Sequence, residues 1–270
     1  MSGRKKKISK TVKACNVVLI LALIILACLL GILLFKVLFN KEAFYEVEVR
    51  DENISKSKSV DTPDHETIGW VRVQGTNIDY PLFGVLDRDF DYPVVADSYL
   101  WSLSYDSLYH DTMVVYGHNI MNLGPNPVLH DDSFIRMEEL MGYVYYDFVK
   151  ENKYIQLSMN GKDYLYKIFA VNFMPVAELD SYPKRGFDQS SKEKYFNTLK
   201  KDSIYDFEVD VSADDDILSV VTCSRFFGDG DNYDFIVTGR LVREDEEIKN
   251  YSVLRNKNYE RIDEILKGAD

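Results

Sequence analysis

The sequence predicts a mostly β protein with helical insertions, built as a largely antiparallel barrel or sandwich. Short runs rich in valine, isoleucine, tyrosine and phenylalanine recur between turn-forming residues, whereas only two stretches in the body of the chain have a helical pattern. β-Branched and aromatic residues favour strands because they pack well on a pleated surface. Hydrophobic residues make up 46% of the 270 positions, which is enough to form a core.

Seven runs have strand character and are bounded by turn signals. The first two, Ile68–Gly75 and Asn77–Phe83, are separated by a short turn that follows a glycine. The remaining five runs are Thr112–Tyr116, Tyr154–Ser158, Tyr164–Phe173, Ile217–Thr222 and Phe235–Val242.

Two helices are predicted inside this β framework, at Asp132–Met141 and Ser190–Lys201. Ser190 or Ser191 is suited to cap the second helix, since a serine hydroxyl accepts from the free N–H groups of a first turn. The charged segment 244–270 carries apolar residues spaced for one helical face, at Tyr251, Leu254, Tyr259, Ile262 and Leu266. We expect a helical extension there, packed on the domain or partly disordered.

The N-terminal region predicts a membrane anchor. Residues 1–39 contain seven basic residues and no acidic one, and residues 17–35 form an uncharged apolar run. About 20 apolar residues cross a bilayer, and basic residues before them stay in the cytoplasm. We therefore expect a cytoplasmic segment at 1–16, an anchor at 17–39, a juxtamembrane helix or linker at 40–66 and an extracellular body at 67–243. A cleaved signal peptide is the alternative, but its apolar region would be shorter.

The overall charge argues against nucleic acid as a partner. The chain carries 44 acidic and 32 basic residues, and its formal net charge is -12. A surface this acidic repels phosphate backbones. No cluster of histidine, cysteine and glutamate has the spacing of metal ligands, and no cofactor is implied. The acidic run 214–216 lacks the pattern of a calcium loop and is interpreted as a turn.

Cys223 is the first candidate for chemistry. The other two cysteines, Cys15 and Cys28, lie beside or within the apolar run, so Cys223 has no disulfide partner in the outer domain. It follows an apolar strand and precedes a polar, glycine-containing loop, an arrangement that holds a thiol rigidly and leaves it open to substrate. The alternative is a buried cysteine that acts as a small hydrophobic residue.

His118 is the best partner for this thiol among the four histidines. It ends the run that begins at Thr112 and follows Gly117, so it also lies at a strand end. A histidine in such a place is more often structural, but together with an unpaired extracellular cysteine it becomes the leading acid/base candidate.

Three segments together resemble class B sortases, the cysteine transpeptidases of Gram-positive bacteria. They read TIGWVRVQGTNIDYP (67–81), VVYGHN (114–119) and SVVTC (219–223). The usual cysteine signature of the family is Thr-Leu-x-Thr-Cys, so this chain departs from it at Ser219 and Val220 and matches it at Thr222 and Cys223. The helical stretch 190–201 resembles the helix that class B members insert before the cysteine strand.

The resemblance implies an eight-stranded barrel and a two-step acyl transfer. Cys223 would attack the threonine carbonyl of a C-terminal sorting motif in a secreted protein and form a thioester. An amine from a cell-wall precursor or a pilin lysine would resolve that thioester, with His118 as general acid and base. Thr222, Asn119 and Ser219 would line the substrate site.

The chain departs from the family at one catalytic position. Sortases carry an arginine early in the strand after the cysteine loop, and the alignment puts Asp234 there. Arg225 is the better substitute because it would lie on the same strand face as Cys223 if the chain stays extended. The alternative for Arg225 is an ordinary exposed loop arginine. Arg240 falls too far along the strand and is interpreted as a solvated charge.

Two further functions compete with an active sortase. A carboxylate near a thiol disfavours the thiolate, so Asp234 leaves open a catalytically weak or silent assembly factor with a sortase fold. A papain-like hydrolase is the weaker option, because no Cys-Gly-x-Cys-Trp motif occurs.

Overall fold

A computed structural model describes residues 18–27, 30, 67–83, 96–99, 112–134, 136–175, 188–228, 233–261 and 263–264. Residues 18–27 form a helix of exposed apolar side chains. Within the described residues, no helix has both the length and the apolar character needed to cross a membrane. Most of the predicted anchor 17–39 and all of the linker 40–66 lie outside the described residues.

Eight strands close into a barrel, as the sequence predicts. The strands are β1 (Thr67–Val73), β2 (Asp79–Phe83), β3 (Ala96–Tyr99), β4 (Thr112–Gly117), β5 (Tyr154–Met159), β6 (Lys162–Pro175), β8 (Ile217–Ser224) and β9 (Tyr233–Leu241). All seven predicted runs are strands, and β3 was not predicted. Two short strands, β7 (Tyr205–Phe207) and β10 (Val253–Arg255), form a separate sheet.

The strand order around the barrel is β1-β2-β3-β4-β8-β9-β6-β5, and β5 returns to β1. Neighbours are antiparallel except for the pairs β2–β3 and β4–β8, which are parallel. In a parallel pair both strands run in the same direction, so their carboxyl ends lie at the same edge of the sheet. The pairing of β4 with β8 therefore brings two strand ends together.

The central strands are buried on both faces. Every residue of β4 is buried, and seven of the eight residues of β8 are. A strand that is covered on both sides is a continuous apolar run rather than an alternating one, which explains the sequences of these two strands. Helices and loops therefore cover the outer face of the barrel at this position.

The helices differ in detail from their predictions. The stretch predicted as a helix at Asp132–Met141 instead holds a 3-10 helix, η1 (Met137–Val144), which is followed by α1 (Tyr146–Glu151). The second predicted helix is present as α2 (Gln189–Lys201). Its cap is Asp188, whose carboxylate accepts the backbone N–H of Ser191 at 2.7 Å. A serine cap at 190 or 191 is therefore wrong.

Residues 246–256 of the C-terminal segment form an extended strap rather than the predicted helix, and residues 263–264 are helical. Residues 246–256 run along the barrel, and β10 pairs with β7 in antiparallel register. The Tyr251 hydroxyl lies 2.7 Å from the carbonyl oxygens of both Lys153 and Ile168 and can donate its one proton to either. The spacing of apolar residues that predicted a helix instead serves a strap that buries Tyr251 and Val253.

Arg240 is fully buried, so its interpretation as a solvated charge is wrong. Its guanidinium forms two hydrogen bonds with the Glu246 carboxylate, at 2.5 and 2.8 Å. Lys167 contacts the same carboxylate at 2.6 Å. These bonds, the one from Arg240 first, lower the pKa of Glu246 from 4.5 to about 2. Arg240 thus fastens the strap to the barrel.

Candidate active site

Cys223 lies at the carboxyl end of β8, one residue before the strand stops. Among the described residues it is the cysteine that forms no disulfide, and it is half-buried. A turn follows from Arg225, in which the Gly228 N–H donates to the Arg225 carbonyl at 3.0 Å. The strand fixes the backbone of Cys223, and the turn that follows leaves the side chain partly exposed, as the sequence predicts.

His118 reaches the same edge through the parallel pairing of β4 with β8. Gly117 is the register partner of Thr222, so the next residue along each chain is His118 on one side and Cys223 on the other. Adjacent strands lie about 4.8 Å apart, which places the two backbones within side-chain reach. The carbonyl of His118 accepts the N–H of Met137 at 3.0 Å, so η1 holds the end of β4 in place.

Thr222 and Asn119 hold the main chain around these two residues. The Thr222 hydroxyl donates to the Gly117 carbonyl at 2.6 Å, directly before His118. The Asn119 amide donates to the Cys223 carbonyl at 3.0 Å. Both side chains are buried. In this structure they connect the strand that carries Cys223 to the strand that precedes His118, whereas the sequence predicts a substrate-lining role.

Asn122 extends this connection to η1. Its side-chain oxygen accepts the N–H of Val128 at 2.8 Å, and its side-chain nitrogen donates to the carbonyl of Glu138 at 2.8 Å. Its own N–H donates to the side chain of Asn119 at 2.9 Å. The loop after His118 is therefore held by buried amide side chains.

Tyr116 is the site residue that the sequence analysis missed. Its hydroxyl lies 2.5 Å from the Cys223 sulfur, and either atom can be the donor. The side chain is buried, and its ring meets the His118 ring edge-on, with 6.3 Å between centroids. The signal was available in the motif VVYGHN, because residues 116 and 118 lie on one face of a strand.

Ser219 is not brought to the thiol. It lies four residues before Cys223, or roughly 13 Å along an extended strand. It is completely buried, and its hydroxyl lies 3.0 Å from that of Thr238 on β9. Its place in the structure is the sheet interior.

Asp234 lies opposite Cys223, where the alignment with the family arginine puts it. The two residues are register partners between β8 and β9, and Met174 is the partner of Asp234 on β6. Directly paired residues project to the same face of a sheet. Asp234 is 1% exposed, so a carboxyl group is buried in the row of side chains that contains the thiol.

Arg225 lies where β8 has already ended. Its N–H donates to the Leu123 carbonyl at 2.8 Å, and its side chain is exposed. Arg225 begins the turn that closes at Gly228, and its role as a substitute for the family arginine stays a prediction. Arg240 is six residues beyond Asp234 on β9, or roughly 20 Å, at the buried ion pair described above.

A cluster of aromatic side chains packs around the loop that follows Cys223. The rings of Phe226, Phe227 and Tyr233 lie within 6.2 Å of the Phe173 ring, centroid to centroid. The guanidinium of Arg261 lies 3.6 Å from the Phe227 centroid and donates to the Tyr233 hydroxyl at 2.9 Å. The C-terminal segment thus contacts the loop that follows Cys223.

No group of three or more histidine, cysteine, aspartate or glutamate side chains is placed to hold a metal ion among the described residues. The chemistry that the site can perform with its own groups is nucleophilic attack by a thiol, with an imidazole at the neighbouring strand end to move protons.

The closed barrel, with a cysteine and a histidine at two neighbouring parallel strand ends, defines a fold of the sortase class. No family model and no curated protein matches the sequence. Among solved structures, sortase B of Clostridium perfringens matches with 23% identity and a TM-score of 0.55, over 72% of this chain and 100% of that structure.

Two further structures agree with this match. Sortase B of Staphylococcus aureus has 15% identity and a TM-score of 0.53, over 71% of this chain and 86% of its own. Sortase B of Listeria monocytogenes has 20% identity and a TM-score of 0.52, over 65% and 94% respectively. The chain therefore has the fold of class B sortases, as its motifs indicate.

Proposed function

We propose that this protein is a membrane-anchored cysteine transpeptidase that joins secreted proteins to an amine acceptor outside the cell. The observation that carries the proposal is the register of β4 with β8, which puts His118 beside Cys223 at one sheet edge. A thiol and an imidazole so placed can form and resolve an acyl-enzyme.

In the first step, the Cys223 sulfur attacks the carbonyl carbon of a threonine in a C-terminal sorting motif. A carbon–sulfur bond forms, and the carbon–nitrogen bond to the next residue breaks. His118, protonated by the thiol, gives that proton to the departing amine. The thioester keeps the secreted protein on the enzyme, and the downstream peptide leaves.

In the second step, a primary amine attacks the thioester carbonyl. His118 takes a proton from the amine, the carbon–sulfur bond breaks, and the proton returns to the Cys223 sulfur. The acceptor is an amine of a cell-wall precursor or a pilin lysine. One of the matching structures is a sortase B from the type II pilus of Streptococcus pneumoniae, and this likeness is the reason for retaining a pilin lysine as an acceptor.

The predicted location supports the same function. The basic segment 1–16 and the apolar run 17–39 would anchor the chain with its N-terminus in the cytoplasm and its acidic barrel outside. Enzyme, secreted substrate and a lipid-linked acceptor would then meet at the outer face of the membrane.

The second candidate is a catalytically weak or silent assembly factor. The observation that favours it is Asp234, a buried carboxyl group opposite Cys223 in place of the family arginine. A negative charge beside the sulfur opposes the thiolate on which the first step depends.

Intact mass of the full chain, incubated with a panel of threonine-containing sorting peptides, tests both candidates. An acyl adduct on the wild type that is lost in Cys223→Ala establishes the transpeptidase and its motif. The double variant Cys15→Ala/Cys28→Ala removes the other two thiols and should keep the adduct.

The variants at position 234 separate the two candidates. An adduct that forms only in Asp234→Asn or Asp234→Arg indicates a silenced enzyme. The absence of any adduct from the wild type and from both variants contradicts the proposed activity.

A further inference from the structure

We propose that Tyr116 is a further catalytic residue, whose phenol donates a hydrogen bond to the Cys223 sulfur and stabilises its thiolate form. The inference rests on the proposed function for its biological meaning, but the contact itself is a property of the resting protein. The phenol oxygen lies 2.5 Å from the sulfur.

The ionisation state of the sulfur decides the direction of this hydrogen bond. A neutral thiol can donate to the phenol oxygen or accept from it, but a thiolate can only accept. Hydrogen bonds to an ionised group are shorter and about twice as strong as neutral ones. The phenol therefore favours the charged form of Cys223, and that form is the nucleophile.

The packing around Tyr116 keeps its hydroxyl at the sulfur. The ring belongs to a buried cluster with Val114, Val221 and Ile236, against which Cys223 also packs. Because these neighbours surround the ring, it keeps one orientation, and little conformational freedom is lost when the hydrogen bond forms. A preorganised donor of this kind needs no rearrangement when charge develops.

The residues paired across the sheet favour a neutral donor at the sulfur. Cys223 faces Asp234 on β9, and Met174 is the partner of Asp234 on β6. Relatives of the family place an arginine where this chain has Asp234. A phenol supplies a positive end of a dipole to the sulfur without adding a second buried charge.

Tyr116 keeps its proton throughout the reaction. The thiol proton passes from Cys223 to His118, and the phenol O–H remains directed at the negative sulfur. When the carbon–sulfur bond forms, the sulfur loses its charge and its hydrogen bond to the phenol weakens. The His118 proton then leaves with the amine product, so Tyr116 contributes stabilisation and no proton.

The rate of Cys223 alkylation by iodoacetamide, measured against pH on the full chain, tests this role without any substrate. The Cys15→Ala/Cys28→Ala background leaves Cys223 as the thiol that reacts. In Tyr116→Phe, which removes only the hydroxyl, we expect the midpoint of the profile to rise by about one to two pH units, the equivalent of one hydrogen bond to a charged group.

Tyr154→Phe is the matched control. It also removes one hydroxyl from a buried tyrosine, which donates to the Lys249 carbonyl at 2.8 Å, away from the thiol. We expect its profile to match that of the background. A Tyr116→Phe profile with the same midpoint as Tyr154→Phe overturns the proposal.

A fluorinated tyrosine at position 116 provides a second test that leaves the fold intact. A more acidic phenol is a stronger donor, so the midpoint should move down, as long as the phenol stays protonated. A midpoint that does not follow donor strength also overturns the proposal. A wild type that forms no peptide adduct but shows these shifts refutes the transpeptidase while retaining the role of Tyr116.

Discussion

The buried ion pair between Arg240 and Glu246 predicts a strong dependence of stability on acid. The pKa of Glu246 falls from 4.5 to about 2 on folding, chiefly because Arg240 donates to its carboxylate. A difference of about 2.5 in pKa corresponds to about 3.5 kcal/mol at about 1.4 kcal/mol for each unit, and solvent screening of the partly exposed Glu246 carboxylate reduces this to about 2 kcal/mol. A carboxylate whose folded pKa is lowered stabilises the fold above its unfolded pKa and loses that contribution as pH falls through its folded pKa.

The perturbation that tests this value is Glu246→Gln. At pH 7 the variant leaves Arg240 buried beside a neutral amide, and we expect a loss of about 2 kcal/mol in the free energy of unfolding. Near pH 2 about half of the folded wild-type molecules carry a neutral Glu246 carboxyl group, and the unfolded chain is almost fully protonated there, so most of the difference between the two proteins should disappear. Urea unfolding from pH 7 to pH 2, followed by circular dichroism, measures both values.

Glu247→Gln is the control, because it makes the same change in charge at an exposed neighbouring position. It should lose less than about 0.5 kcal/mol at either pH, as surface substitutions do. If Glu246→Gln and Glu247→Gln follow the same curve against pH, the ion pair contributes nothing measurable and the reasoning is refuted.

Three further substitutions test the parts of the barrel that position the site. Thr222→Val should lower the free energy of unfolding by about 1–2 kcal/mol, because it removes a buried hydrogen bond. Thr112→Val is the control and should cause no such loss, because the Thr112 hydroxyl has no partner among the described residues. Equal losses for the two variants in urea unfolding would contradict this expectation. Gly69→Ala should lower the free energy of unfolding by about 1–3 kcal/mol, because the new methyl group would lie 2.7 Å from the Ser158 carbonyl oxygen. An unchanged melting temperature would show that β1 can shift to accommodate the methyl group. Arg261→Ala should speed proteolysis of the loop after Cys223, because it removes the guanidinium that lies 3.6 Å from the centre of the Phe227 ring. Arg261→Lys should restore only part of the protection. Equal cleavage rates in the wild type and both variants would show that this contact does not stabilise the loop.

The strands and the two strand ends of the site were predictable from the sequence because their signals are local. Apolar runs of β-branched residues specify β4 and β8 wherever they lie in the chain. The closeness of His118 and Cys223 in space could not be predicted from local sequence patterns, because it depends on the parallel pairing of two strands that are distant in sequence. The resemblance to class B sortases indicated that the two residues act together, whereas the parallel pairing itself is seen only in the structure.

Two of the wrong predictions share a physical cause, which is tertiary contact, and the third is local. Arg240 was interpreted as solvated because charged residues are mostly exposed, and its partner Glu246 lies on a strap whose path the sequence does not reveal. Tyr251 fitted a helical face, yet its hydroxyl contacts two barrel carbonyls. Asp188 displaced the serine cap of α2 because aspartate and serine accept equally well and the first turn begins one residue earlier.

The strap also sets a time at which the barrel becomes complete. Lys153 is buried, burial lowers its pKa to about 8, and its amine donates to Asn250 and to the carbonyl of Tyr251, which lie 97 and 98 residues later in the chain. At about 5–20 residues per second, synthesis takes roughly 5–20 s to supply those acceptors. Until then the Lys153 amine lacks both of these acceptors, and a chain interrupted before residue 250 never acquires them.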